Sequence, residues 1–207
     1  MPRTEEVKQR LRDEQRAKIL EAAKRVFARK GLTATMDDIA AEAVVSHGLA
    51  YHYWASKEAI VSELVTQALR SPAADLHPPL HTPGTPGERL KSLVRGFVES
   101  RRHPEFYLLL DQVLRSPDAP EELRTLVRQR SKQMQEGLRH LIVEGQATGE
   151  VAAGDPDQLV RAIFACGDGL LRWAHHDPDD FQEHFPDADI FLRILAPERT
   201  SIKEEME

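Results

Sequence analysis

Residues 35–60, T-M-D-D-I-A-A-E-A-V-V-S-H-G-L-A-Y-H-Y-W-A-S-K-E-A-I, decide the fold. Thr35, Ser46 and Ser56 each carry a hydroxyl suited to accept a hydrogen bond from an otherwise orphaned amide at a helix start. Asp38, three residues after Thr35, completes a capping-box pattern in which Asp stands where Glu or Gln is usual. Ile39, Ala40 and Ala43 then recur at the spacing of an inward helical stripe, and Ala50, Tyr53 and Trp54 do so again. Only Val44, Val45 and Ser46 separate the two runs. Helices joined by so short a turn cross rather than lie side by side. That is the helix-turn-helix arrangement, which sets its second helix into a DNA major groove.

Upstream, Val7, Leu11, Ile19, Ala22, Ala23, Val26 and Phe27 keep a helical spacing, and Gly31 supplies a left-handed stop. Residues 3–12 extend beyond the core as a solvated helix end. Downstream, Ser56 opens a helix whose Ile60, Val61, Leu64, Val65, Ala68 and Leu69 form one apolar stripe, a connecting rod out of the reading module. Residues 72–87 hold five prolines and two glycines, so no regular element runs through them and they mark a boundary. His77 and His81 fall in this loop, and Pro78-Pro79 forbids the helical geometry in which residues four apart chelate a metal. Helices are expected over 88–101, 105–115, 120–144, 157–175 and 188–195. The division is therefore 1–55 for a helix-turn-helix domain, 56–71 for the connecting helix, 72–87 for the loop and 88–207 for a second helical domain. The fold class is all-α.

Composition narrows the function. A chain of 207 residues accommodates a small DNA-binding module and one larger domain. The single Cys166 excludes an internal disulfide and a cysteine-based zinc finger, and suits a reducing cytoplasm. No export signal and no apolar run of membrane-spanning length is visible, so no membrane partner is expected. The net charge of −6 is unevenly spread: residues 1–30 carry ten Lys or Arg against five Asp or Glu, and residues 71–207 carry sixteen against twenty-four. A basic end beside the helix-turn-helix fits a module that touches phosphates. No phosphate-binding glycine loop, nucleophile elbow or metal-ligand pair on one helical face is present, so neither an enzyme nor a cofactor or metal is expected.

The segment 14–69 resembles the DNA-binding domain of the tetracycline-repressor (TetR-type) family of bacterial regulators. Ile19, Ala22, Ala23, Phe27 and Gly31-Leu32-Thr33 carry the likeness, followed by T-M-D-D-I-A and V-S-H-G-L-A-Y-H-Y-W-A-S-K-E. By matching positions the resemblance implies that Thr35, Tyr51, Tyr53 and Lys57 face the DNA backbone, with Ser46 a cap beside it, and that His47, Gly48, Leu49 and His52 face bases. Leu49 stands where family members commonly have a hydroxyl residue; it suits a thymine methyl and cannot donate to phosphate. No Arg or Lys lies between Met36 and Trp54, so a bidentate arginine-to-guanine contact is unavailable from this helix. Specificity then rests on His, small residues and DNA shape.

The resemblance also implies a homodimer on a palindromic operator and a second domain that takes a small, mostly apolar inducer. Residues 157–175 and 185–195 are apolar around too much of their circumference for one interface, which fits pairing with a second copy. Candidate inducer-lining residues are Phe97, Phe106, Tyr107, Leu110, Asp111, Met134, Leu138, Phe164, Asp168 and Trp173. Asp111 and Asp168 interrupt apolar stretches and hint at a ligand cation or hydrogen-bond donor. The expected function is a ligand-responsive repressor; the alternative is an architectural DNA binder or an activator without an inducer.

Overall fold

A computed structural model describes residues 2–70, 82–117 and 119–197, with side chains from residue 5 onward. Ten α-helices and three short 3-10 turns occur among the described residues, with no strand and no helix long and apolar enough to cross a membrane. The helices are α1 (Pro2–Lys30), α2 (Met36–Ala43), α3 (His47–Tyr53), α4 (Lys57–Arg70) and α5 (Pro86–Glu99). They continue as α6 (Glu105–Arg115), α7 (Glu121–Ala147), α8 (Pro156–His176), α9 (Pro178–Glu183) and α10 (Ala188–Leu192). Most of the loop 72–87, with His77 and His81, lies outside the described residues.

The chain forms two compact units. The first takes α1–α4 together with residues 103–130; the second takes α5 and the chain from residue 131. This moves a boundary that the sequence placed at 88. α6 completes the core that α1–α4 begin: Leu109 and Val113, with Leu123 and Val127 at the start of α7, join Ile19, Phe27, Ile39, Ile60 and Leu64 in one buried cluster. Gln112 fastens α6 to α1 by donating from Nε2 to the Phe27 carbonyl at 3.0 Å. The Lys24 ammonium sits 4.7 Å from the Phe106 ring centre.

α1 begins with Pro2, has Glu5 in its first turn and Arg29 and Lys30 in its last, each placed to suit the helix dipole. It stops at Gly31, whose φ of +65° is the left-handed conformation expected there. Val7 and Leu11 are exposed, so the first turns of α1 stand clear of the core.

The second unit is built around Leu93, Val94, Phe97, Leu141, Ile142, Ile163, Phe181 and Leu195. Thr85 and Glu88 make a capping box at the start of α5, and Pro86 occupies its first turn. Glycines set close approaches here: a methyl at Gly145 would lie 2.3 Å from Val151 Cγ2, and one at Gly167 would lie 2.7 Å from the Phe97 ring. Two elements differ from the sequence expectation. α9 is an additional helix, capped by Asp177 through the Asp180 amide, and the expected 188–195 helix is α10 followed by the 3-10 turn Arg193–Leu195.

Candidate DNA-reading surface

Three helix starts organise the surface. Thr35 accepts from the Asp38 amide at 3.2 Å while the Asp38 carboxylate accepts from the Thr35 amide at 3.0 Å, the reciprocal pair of a capping box. Ser46 accepts from the Leu49 amide and Ser56 from the Ala59 amide, both at 3.2 Å. Between α2 and α3 the chain reverses through Val44, which has φ +53°. The Val44 amide bonds to the Ala41 carbonyl at 3.1 Å and the Val45 amide to the Ala40 carbonyl at 3.0 Å, so two of the carbonyls in the last turn of α2 are satisfied and the entry to α3 is fixed.

Of the nine sequence-derived positions, Thr35, Ser46, His47, Gly48, Tyr51 and His52 are exposed, whereas Leu49, Tyr53 and Lys57 are half-buried. Ala50 and Trp54 form the buried face of α3, and Tyr53 leans on the same cluster. Trp54 is a core residue, as its position suggests, with the Arg16 guanidinium 4.2 Å from its ring centre. Lys57 does more than the sequence shows: its Nζ donates to the Leu32 carbonyl at 2.6 Å, tying the start of α4 to the exit of α1. An ammonium has three donors, so one such bond leaves the group able to meet a phosphate.

The acids of α2 draw on the basic end of α1. Arg25 and Arg29 bond to Glu42 at 2.8 and 2.5 Å, and Lys30 bonds to Asp38 at 2.7 Å. The Lys30 bond, followed by the backbone and side-chain bonds from Thr35, holds the Asp38 carboxyl down from 3.8 to about 2. Arg25 and then Arg29 lower Glu42 in the same way. Part of the basic charge read as phosphate-facing is therefore engaged within the unit. Asp37 was not singled out from the sequence; its carboxylate is hydrogen-bonded to Nδ1 of His47, whose ring lies 4.7 Å from that of Tyr51. Nothing short-range in the sequence joins residues ten apart across a turn.

The ten inducer candidates divide between the two units. Phe106, Tyr107, Leu110 and Asp111 lie on α6 in the first unit, where Phe106 and Leu110 pack on its core and Asp111 accepts from Arg115 at 2.7 Å. In the second unit Phe97, Met134, Leu138 and Phe164 do meet, with Leu93, Val94 and Ile163, around an apolar gap too narrow for a water molecule. Asp168 is exposed, and Trp173 donates its indole N–H to Asp180 at 2.8 Å while meeting Phe181 edge-on. A buried Arg101 was missed: its guanidinium lies 3.5 Å from the Phe97 ring centre and Nη1 donates to the Phe97 carbonyl at 2.6 Å. In the sequence it reads as an ordinary cation at a helix end. Asp168 is not among the residues that line the apolar gap of its own unit.

Comparison with known proteins agrees with this arrangement. Residues 19–64 match the pattern of the tetR family of bacterial regulatory proteins, and residues 83–192 match the tetracyclin repressor-like C-terminal domain. The HTH-type transcriptional repressor KstR2 of Mycolicibacterium smegmatis is 30% identical over 162 residues, 76% of this chain and 78% of that protein. The HTH-type transcriptional regulator BetI of Rhizobium meliloti is 29% identical over 161 residues, 75% of each. Among solved structures, the ketosteroid transcriptional regulator KstR2 of Mycobacterium tuberculosis superposes with a TM-score of 0.72 at 25% identity, covering 88% of this chain and 95% of that one. The chain belongs to the tetR family of bacterial regulatory proteins. It is a DNA-binding transcription regulator.

Proposed function

We propose that the protein is a ligand-responsive repressor that acts in the cytoplasm, binding a palindromic operator as a homodimer and leaving it when a small, mostly apolar inducer enters the second unit. The observation that carries this reading is the exposed apolar surface at the last helical segment among the described residues. Ile190 is 54% and Ile194 37% exposed in a unit that buries Phe191 and Leu195 from the same segment. A monomer gains nothing by showing isoleucines on one side of a helix and burying Phe and Leu on the other, whereas a second copy would remove them from water. The thirty per cent identity to a repressor supports the sign of regulation. The apolar gap around Phe97 and Phe164 is the place for the inducer, and it must open to admit one.

Two reading heads related by a two-fold axis demand a near-palindromic site with half-site centres about 34–36 Å apart, or a multiple. The test combines enrichment of duplexes from a random library by the full chain with sedimentation. A palindromic consensus and a dimer at micromolar concentration are expected; a monomer, or a single half-site, would overturn the dimeric reading. A metabolite screen then separates inducible from architectural binding. Inducers should raise the melting temperature and weaken operator binding by roughly 5- to 150-fold, the range of an ordinary allosteric coupling.

A further inference from the structure

We propose that Asp37 is a positioning residue for operator reading: it holds the His47 ring in a single tautomer and thereby decides which base edges that ring recognises. The inference rests on α3 being the base-facing helix. Asp37 lies in the first turn of α2 and His47 opens α3, so the contact spans the turn of the helix-turn-helix. Both side chains are exposed, and the Asp37 carboxylate is hydrogen-bonded to Nδ1 of His47. A carboxylate only accepts, so Nδ1 must carry the hydrogen. The Tyr51 ring, tilted 44° against the imidazole, limits rotation from a third side.

With Nδ1 committed, Nε2 is the atom left for DNA, and in the neutral ring it is a bare acceptor. An acceptor in the major groove pairs with the amino groups of adenine N6 or cytosine N4 and is repelled by guanine O6 and N7. Without Asp37 the ring would exchange tautomers and present either a donor or an acceptor, and the discrimination would fade. This matters because α2 and α3 carry no Lys or Arg between Met36 and Trp54, so His47 and His52 are the nitrogen-bearing side chains α3 has to offer.

A rival account makes Asp37 a mere acid in the first turn of α2, useful to the helix dipole and repulsive to phosphates. The two accounts differ in sign. A duplex enriched by the wild-type full chain and a scrambled duplex of equal length serve as probes, with affinities measured for wild type, Asp37→Ala, Asp37→Asn and His47→Ala after circular dichroism shows each to be folded. Asp37→Ala is expected to tighten the scrambled duplex, by removing repulsion, and to loosen the enriched one by about tenfold. Asp37→Asn, whose amide oxygen still accepts from Nδ1, should keep the ratio between the duplexes near wild type. His47→Ala should lose that ratio, and Asp37→Ala added to it should lose no more. A repeated enrichment with Asp37→Ala should show one position relaxing from adenine or cytosine. Equal changes on both duplexes for Asp37→Ala, or an unchanged ratio in His47→Ala, would overturn the assignment while leaving the regulator reading intact. Failure of the wild type to enrich any duplex would instead sink the regulator reading and this inference with it.

Discussion

The two units hold themselves together by different means. In the first, each helix start on the reading surface is closed by a side chain one turn away: Thr35 with Asp38, Ser46 with the Leu49 amide, Ser56 with the Ala59 amide. In the second, caps of the same kind, such as Thr85 with Glu88, are accompanied by ion pairs between residues far apart in the chain, as where Arg89 meets Glu144 at 2.9 Å and Arg95 meets Asp189 at 2.8 Å. Short-range pairs fix orientation, which a DNA reader needs because its side chains must meet base edges in register. Long-range pairs fix how helices distant in the chain stand against one another within a unit.

The largest test of this contrast is to empty each core. Phe27 is fully buried in the first unit and Phe181 almost so in the second. Phe27→Ala and Phe181→Ala should each cost about 3–5 kcal/mol. Calorimetry is expected to show Phe27→Ala lowering the transition that accompanies loss of DNA binding, and Phe181→Ala lowering a separate one. A single transition moved equally by both would mean that the units do not unfold separately. Next in size is Gly145→Ala. The added methyl meets Val151 Cγ2, part of a buried side chain, so overpacking of about 1–3 kcal/mol should appear in chemical denaturation with DNA affinity kept.

Smaller effects probe the reading surface. Lys57→Ala removes one candidate phosphate contact and the bond to the Leu32 carbonyl. It should weaken binding to every sequence alike and flatten the salt dependence by about one unit, with about 1 kcal/mol lost from stability. Binding isotherms at several salt concentrations on specific and random DNA decide it; a sequence-dependent loss would move Lys57 out of the backbone class. Thr35→Ala should cost about 1 kcal/mol as a lost cap. The same change removes the hydroxyl bond to Asp38, one of the influences that hold its carboxyl near 2, and keeps the backbone amide bond. A carboxylate whose folded value is depressed stabilises the fold above its unfolded value and loses that contribution as pH falls through the folded one. For Asp38 that window runs from about pH 4 down to about pH 2. In Thr35→Ala its titration, followed by NMR, should move up toward the usual carboxylate range and the window should narrow from below.

The same contrast explains what could be read without coordinates. The helix-turn-helix was legible because its caps, stripes and stop residues act within four positions, and every one of Thr35, Ser46, Ser56 and Gly31 does what its chemistry implies. That α6 packs on the core of the first unit could not be read, because Leu109 and Val113 show that a face is buried without showing against what. α9 was missed because six residues give too few periods for a stripe, although Asp177-Pro178 carries a start signal. Asp37 with His47 and Arg101 with Phe97 escaped for a related reason: an ionisable residue near a helix end looks solvated until its neighbour in space is known.

The smallest expected effect is the most local, and it comes from two left-handed residues in the same unit. Gly31 ends α1 at φ +65° and Val44 follows α2 at φ +53°. An L-residue in this conformation brings Cβ against the following carbonyl, at about 1–2 kcal/mol, and glycine alone escapes that. Valine is branched at Cβ, and here its side chain recovers nothing by packing, being 82% exposed. Glycine at 44 would relieve the strain and lose about 0.5–1 kcal/mol through the greater freedom of the unfolded chain. Val44→Gly should therefore stabilise the first unit by up to about 1 kcal/mol, a rise of roughly 2–4 °C in melting temperature for a chain of this size. Gly31→Ala should act in the opposite direction although there is room for the methyl, which would sit 3.6 Å from the Gln112 side chain. Thermal melts of the two variants are the check. If Val44→Gly melts lower than wild type, the turn is held by its side chain rather than by its backbone bonds to Ala40 and Ala41. If it melts higher but loses operator affinity, the exposed valine belongs to the reading surface.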